Sequence, residues 1–283
     1  MNAIRAWTIC LVIVVAVAVT VDGFVDWDLT FWNGDIQLNI DLMAENAYNP
    51  YREFNNLINS IFFKLSGLEF LSRLVIEAFG VENGYFAECY LRDLVAGTAV
   101  YWIAAGLWDL VIYRILGERL FTSKGRSLPS KEVIIDQMCL AQAAIFMYAG
   151  LPVLSEYIIE KGYTRCYFYL DQVGGWKMYF FYLFLYIAFV EVGIYWVHRT
   201  LHTNKFCYKY IHGLHHKYNT AATLTPWASI AFNPIDGLMQ ASPYLIGLFV
   251  LPVHYFSHIG LLFFSGIWAT NIHDTVVRLC TVS

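Results

Sequence analysis

Five of the chain's eight histidines fall in one window, "WVHRTLHTNKFCYKYIHGLHH", from Trp196 to His216. His198 and His202 are four residues apart, so on a helix they share a face. His212, His215 and His216 follow as HxxHH, which sets His212 facing partners three and four positions on. Two short helical turns can therefore aim five imidazoles at one centre. Protonated, such a cluster repels itself; neutral, its lone pairs converge and call for a cation. Imidazole suits Fe, Zn, Cu and Ni. A lone His on an apolar helix is ordinarily a hydrogen-bonded core residue, but five at two helical metal spacings point to a metal centre.

Other polar residues are weighed beside that window. Glu191 lies seven positions before His198, on the same helical face two turns away. A carboxylate within an apolar span is expensive and should face protein or a cavity. It either supports a histidine of the centre from behind or lines the substrate cavity, or it is a protonated glutamate bonded to its own helix. Asp236 in "NPIDG" is expected to be a helix N-cap. His254 and His258 repeat the i, i+4 spacing, but they fall near the far turn of an apolar hairpin and are expected to be interfacial residues.

The elements that must position these side chains are apolar. Hydrophobic residues make up 58% of the chain, charged residues 14%, and the mean hydropathy is +0.51. A soluble domain carries about a quarter charged residues, so the chain is expected to be an all-α, multi-span membrane bundle. Aromatics at 18% fit the Trp and Tyr belts of a bilayer. A net charge of −4 argues against nucleic acid as a partner. The six cysteines form no CxxC pair, so neither a zinc ribbon nor a thiol redox motif is supported.

Along the chain, residues 1–23 have a basic start at Arg5 and an uncharged run from Ala6 to Val21. They are expected to be a signal peptide or signal anchor directing the chain to the endoplasmic reticulum. Residues 24–93 mix aromatic and charged residues and are expected to be short amphipathic, interfacial helices on the lumenal side. Spans are expected at Leu94–Leu116, Val133–Leu154 and Tyr179–Val197, each near the ~20 residues a bilayer requires. The loop at 113–132 holds Arg114, Arg119, Lys124, Arg126 and Lys131, which places it in the cytosol. The third span then delivers the histidine window to that same side. Leu238–Asn271 is too long for one span and contains Pro252; it is expected to be a hairpin turning near Leu251–His254.

Those residues also carry a family resemblance. "HRTLH" and "HGLHH" resemble the first two histidine boxes of the fatty acid hydroxylase superfamily of membrane di-iron enzymes. "YLRDLVAGTAVYWIAAGLWDLVIY", "LSEYIIEKGYTRC", "FVEVGIYWVHRTLH", "YKYIHGLHHKYN", "TLTPWASIAFNPIDG" and "HIGLLFFSGIWATNIHD" resemble the sterol C5-desaturases, or lathosterol oxidases, across roughly residues 85–274. The resemblance implies a multi-pass endoplasmic-reticulum enzyme that inserts the C5–C6 double bond into a Δ7-sterol. Iron is then the cofactor and O2 the oxidant, and electrons come from NAD(P)H through cytochrome b5 and its reductase. His198, His202, His212, His215, His216 and His273 match family metal ligands.

Residues 94–274 are then the fatty acid hydroxylase-like domain and 275–283 a divergent tail. Val277 stands where the family has a further His, and no final HxxHH box follows. The resemblance thus implies a C-terminally truncated chain with an incomplete di-iron site. A non-catalytic membrane protein that keeps the sterol-accommodating bundle is the alternative, as is another sterol or lipid hydroxylase of the superfamily.

Overall fold

The computed structural model describes residues 48–122, 127–220 and 222–273. Expectations for residues 1–23, for 24–47 and for the tail after His273 lie outside the described residues.

Helix α1, Pro50–Ser66, starts where the Asn49 side chain accepts the Arg52 N–H and Pro50 supplies a preset φ. It ends at Gly67, whose φ of +70° is open to glycine at no steric cost. Helix α2, Glu69–Asp109, is interrupted at Gly80, with φ +77° and ψ 172°. The chain folds back so closely there that a Cβ on Gly84 would meet the Ile76 Cα at 2.7 Å. A π-helical turn, Leu110–Ile115, continues α2 to its end, and α3 is the short Gly117–Leu120. The apolar helical stretch runs from Glu69 to Ile115, but the fold-back at Gly80 divides it, so the helix of the first span begins after Gly80, ahead of Leu94. Within residues 69–93, Glu69, Arg73, Glu77 and Glu82 stay exposed, whereas Arg92 and Asp93 are buried and paired inside the protein.

Arg92 is the centre of that pairing. It donates to Asp93 at 2.9 Å, Glu156 at 2.6 Å and Asn59 at 2.9 Å, and all four residues are buried. Asn55 and Tyr85 donate to Glu160, and Tyr255 donates to Asn55, tying four helices at one end of the bundle. Counting isolated charges from sequence cannot anticipate such mutual neutralisation.

Helix α4, Lys131–Tyr148, is capped by Ser130, and α5, Gly150–Glu160, carries the second span beyond Leu154. Strand β1, Cys166–Tyr167, pairs in parallel with β2, Val253–His254. Helix α6, Trp176–Thr203, is 28 residues, or about 42 Å at 1.5 Å per residue. That exceeds a hydrocarbon core of about 30 Å, so one end projects beyond it. Only 11% of its most apolar window is buried, so α6 turns most of its surface toward lipid.

Helices α8, Pro234–Val250, and α9, Tyr255–Ile272, form the expected hairpin, broken at Leu251 and Pro252. α8 crosses α6 where Gly193 meets Pro243; a Cβ on Gly193 would sit 2.7 Å from the Pro243 Cβ. Tyr186, Val190, Tyr244, Leu248 and Tyr255 pack between α6, α8 and α9. A second core joins Tyr101 and Ala105 of α2, Ala141 and Ile145 of α4, and Trp227.

The two ends of the bundle are distinct. At one end, Lys217 and Tyr218 of the histidine window donate to Asp136, at the start of α4. Tyr113 donates to the Leu224 carbonyl at 3.1 Å and Gln137 to the Thr223 carbonyl at 2.6 Å. The basic loop's flanks and the histidine window therefore share an end. At the other, Tyr51 donates to the Cys166 carbonyl at 2.8 Å and the Arg165 N–H to the Leu248 carbonyl at 2.8 Å.

Candidate metal centre

The projecting end of α6 carries His198 and His202 one turn apart. Asn204 then breaks the helix; its side chain accepts the N–H groups of Phe206 and Cys207 and starts α7, Lys205–Cys207. The chain reverses through a π-helical turn, Tyr208–His212, and a 3₁₀ turn, His215–Tyr218. That reversal returns His212 and His216 to the α6 pair.

Ring nitrogens of His198, His202 and His212 then lie within 4.8 Å of one another, and His216 adjoins His212. His198 and His202 approach at 3.1 Å, His202 and His212 at 3.2 Å, and His212 and His216 at 3.0 Å. His212 is fully buried; His198 and His216 are half-buried and His202 is exposed. His215 and His273 stand beside this group as a pair, with ring centroids 5.3 Å apart. The His215 ring is 5.1 Å from that of His212 and 6.2 Å from that of His198. All six histidines singled out from the sequence thus gather at one end, with His198, His202 and His212 around a point, His216 against His212, and His215 and His273 beside them. His254 and His258 do not join them. His254 packs on Tyr167 and Tyr179, and His258 is buried in α9 with Nδ1 2.8 Å from the Tyr186 hydroxyl. His258 is therefore a core residue rather than an interfacial one.

The backing of the cluster departs from the sequence reading in two places. Asp236 is not an N-cap: Asn233 caps α8, accepting the Ile235 N–H, and Asp236 is fully buried. Its Oδ2 lies 2.7 Å from His212 Nδ1, and its Oδ1 accepts from Gln240 at 2.7 Å. Gln240 Oε1 lies 3.1 Å from His198 Nδ1. Asp236 and Gln240, one turn apart on α8, thus hold both ring orientations. Glu191, expected to support the histidines, is exposed on α6 and holds none of them among the described residues. The signal for Asp236 was present: a carboxylate opening an apolar helix, with an amide four residues on. Only the fold shows that its target is His212.

The donor set suits a metal. With Nδ1–H of His212 given to Asp236 and that of His198 to Gln240, both Nε2 atoms present lone pairs. The three nitrogen contacts cannot all be hydrogen bonds, because those lone pairs face one another. Imidazole nitrogens on one metal at about 2.0–2.1 Å are about 3 Å apart at neighbouring positions, which is the spacing observed here. His215 Nδ1 is buried without a partner. Burial and the neighbouring His273 and His212 push its pKa down to about 3. Burial also lowers that of His216, followed by the effect of His212. Both rings are therefore neutral at physiological pH, as ligation requires.

Bundle and site together define a membrane-embedded helical protein with a polyhistidine centre at one end. A family model described as fatty acid hydroxylase matches residues 183–282. The chain is 43% identical over 192 residues to "Putative Delta(7)-sterol-C5(6)-desaturase 2" of Arabidopsis thaliana, with 68% of each chain covered. It is 39% identical over 212 residues to "Delta(7)-sterol-C5(6)-desaturase" of Nicotiana tabacum, covering 73% of this chain and 77% of the relative. A "Lathosterol oxidase" of Rattus norvegicus is 36% identical over 137 residues, 47% of this chain and 44% of the relative. No solved structure matches the chain. The chain belongs to the sterol C5(6)-desaturase family.

Proposed function

We propose that the chain is an O2-dependent sterol C5(6)-desaturase-type oxidoreductase acting on a Δ7-sterol in the endoplasmic-reticulum membrane. The observation that carries this is the convergence of the His198, His202 and His212 ring nitrogens, with His216 against His212, backed by Asp236 and Gln240. His198, His202 and His212 would hold one iron, with His216, His215 and His273 extending the site toward a second.

Iron with O2 supplies the oxidising power to remove hydrogen from unactivated carbon, chemistry that belongs to the cofactor. The protein's own share is positioning. Asp236 keeps a proton on His212 Nδ1 and so presents Nε2 to the metal; Gln240 does the same for His198. The Phe232 ring, 5.1 Å from that of His215, walls one side against water. The apolar bundle accommodates a rigid hydrocarbon. The histidine end faces the cytosol, where cytochrome b5 and its NAD(P)H-linked reductase deliver electrons.

Expression in a sterol C5-desaturase-deficient cell tests the activity, and metal analysis of the purified chain tests the site. Δ5,7-sterol in the extracted lipids together with bound iron is the expected result. Iron-free protein and no Δ5,7-sterol, beside a working relative as control, would overturn the reading and leave a non-catalytic membrane protein.

A further inference from the structure

Glu191 remains without a role in the histidine cluster. It lies about midway along α6, and its side chain is exposed on a helix that turns mostly toward lipid. No hydrogen bond or ion pair within the described residues holds its carboxylate. An ionisable group at that depth is costly unless something polar meets it.

What lies next to it is a depression of about 270 Å³ lined by Glu191, Ile194, Tyr195, His198 and Arg199. These positions form one stripe of α6, at i, i+3, i+4, i+7 and i+8. The stripe runs about 10 Å from the carboxylate to His198, two turns at 5.4 Å each. Arg199 donates to the Tyr195 hydroxyl at 2.8 Å, which closes the end nearest the aqueous face. His198 is half-buried and belongs to the centre formed with His202 and His212. The depression thus joins the lipid face of α6 to the edge of that centre, with an acceptor at its deep end and an apolar floor between.

We propose that this stripe is the lateral port through which a neutral, hydroxyl-bearing polycyclic lipid reaches the histidine centre, with Glu191 accepting the hydroxyl proton in a hydrogen bond. The proposal rests on the desaturase reading and names the substrate contact of the same site. In a sterol the C3 hydroxyl sits on the ring next to the one that contains the C5–C6 bond. A hydroxyl on Glu191 therefore turns the adjacent ring toward His198. Hydrogen bonding sets the selectivity: an alcohol donates its proton to the Glu191 carboxyl oxygen, whereas the corresponding ether has none to give. Glu191 is in these terms a specificity-determining residue.

The test uses the full chain in its native membranes and a cholestanol carrying a diazirine at C6, compared with its 3-O-methyl ether. Illumination is expected to label the Glu191–Arg199 segment with the alcohol at least tenfold more than with the ether. Glu191→Leu is expected to lower alcohol labelling to the ether's level while bound metal is retained. Equal labelling by alcohol and ether on the unaltered chain, or labelling confined to other segments, would overturn the port whatever the variant does. Full alcohol labelling of a metal-retaining Glu191→Leu would overturn the role of the carboxylate. Sterols extracted from the same membranes report separately on the desaturase reading. A chain labelled as expected that forms no Δ5,7-sterol counts against desaturation and for the port. A desaturating chain labelled elsewhere counts against the port alone.

Discussion

Asp236 shows how one buried carboxylate can organise a site. It is fully buried, accepts from His212 and Gln240 at 2.7 Å each, and through Gln240 reaches His198. Removing such a partner typically lowers metal affinity 10- to 100-fold. Asp236→Asn keeps the shape, but its amide can present a donor where His212 Nδ1–H needs an acceptor. The variant is expected to bind iron about 10- to 100-fold more weakly, measured by competition with a chelator. His254→Ala, at the opposite end of the bundle, is expected to keep wild-type affinity. Equal affinity for Asp236→Asn and the wild type would show that the carboxylate plays no part in orienting the ring.

At the scale of elements, the site depends on how α8 meets α6. Asp236 and Gln240 are on α8, His198 and His202 on α6, and the two helices close on each other at Gly193 and Pro243. A side chain at 193 would enter space already held by the Pro243 ring, 2.7–2.8 Å from where its Cβ would be. Overpacking a tight contact costs about 1–3 kcal/mol. Gly193→Leu is therefore expected to lower the unfolding temperature in detergent and to weaken metal retention together, because it moves α8 away from the histidines. Gly97, with no heavy atom near its Cβ position, is the matched control, and Gly97→Ala is expected to be close to neutral. A Gly193→Leu variant with unchanged melting and metal content would remove the crossing from the account.

For the whole molecule, segregation of its ends carries the topology. The histidine window, the start of α4 and the end of the first span lie together, bound through Asp136, Lys217 and Tyr218. The far end is tied by Arg92, Glu156 and Glu160. Cys207 sits half-buried at the histidine end. In sealed microsomes an impermeant maleimide is expected to label a variant that keeps Cys207 as its single cysteine. Labelling at Cys207 only after the membranes are opened would place the histidines in the lumen and remove the route from a cytosolic electron donor.

Local chemistry made much of this legible from sequence. The i, i+4 and HxxHH spacings single out the histidines that gather at one end because helical geometry ties spacing to direction. Long uncharged runs locate spans because unpaired charge is expelled from lipid, and Pro252 marks the hairpin turn because it cannot continue a helix. Tertiary structure alone decided the rest. The helix of the first span begins after Gly80 rather than at Leu94, because Arg92 finds partners on other helices. Asp236 became the support of His212, and Glu191 was left facing lipid, because the crossing of α6 and α8 chooses which carboxylate reaches the rings. Spacing along one helix determines which residues share a face, while contact between helices depends on packing that no single segment encodes.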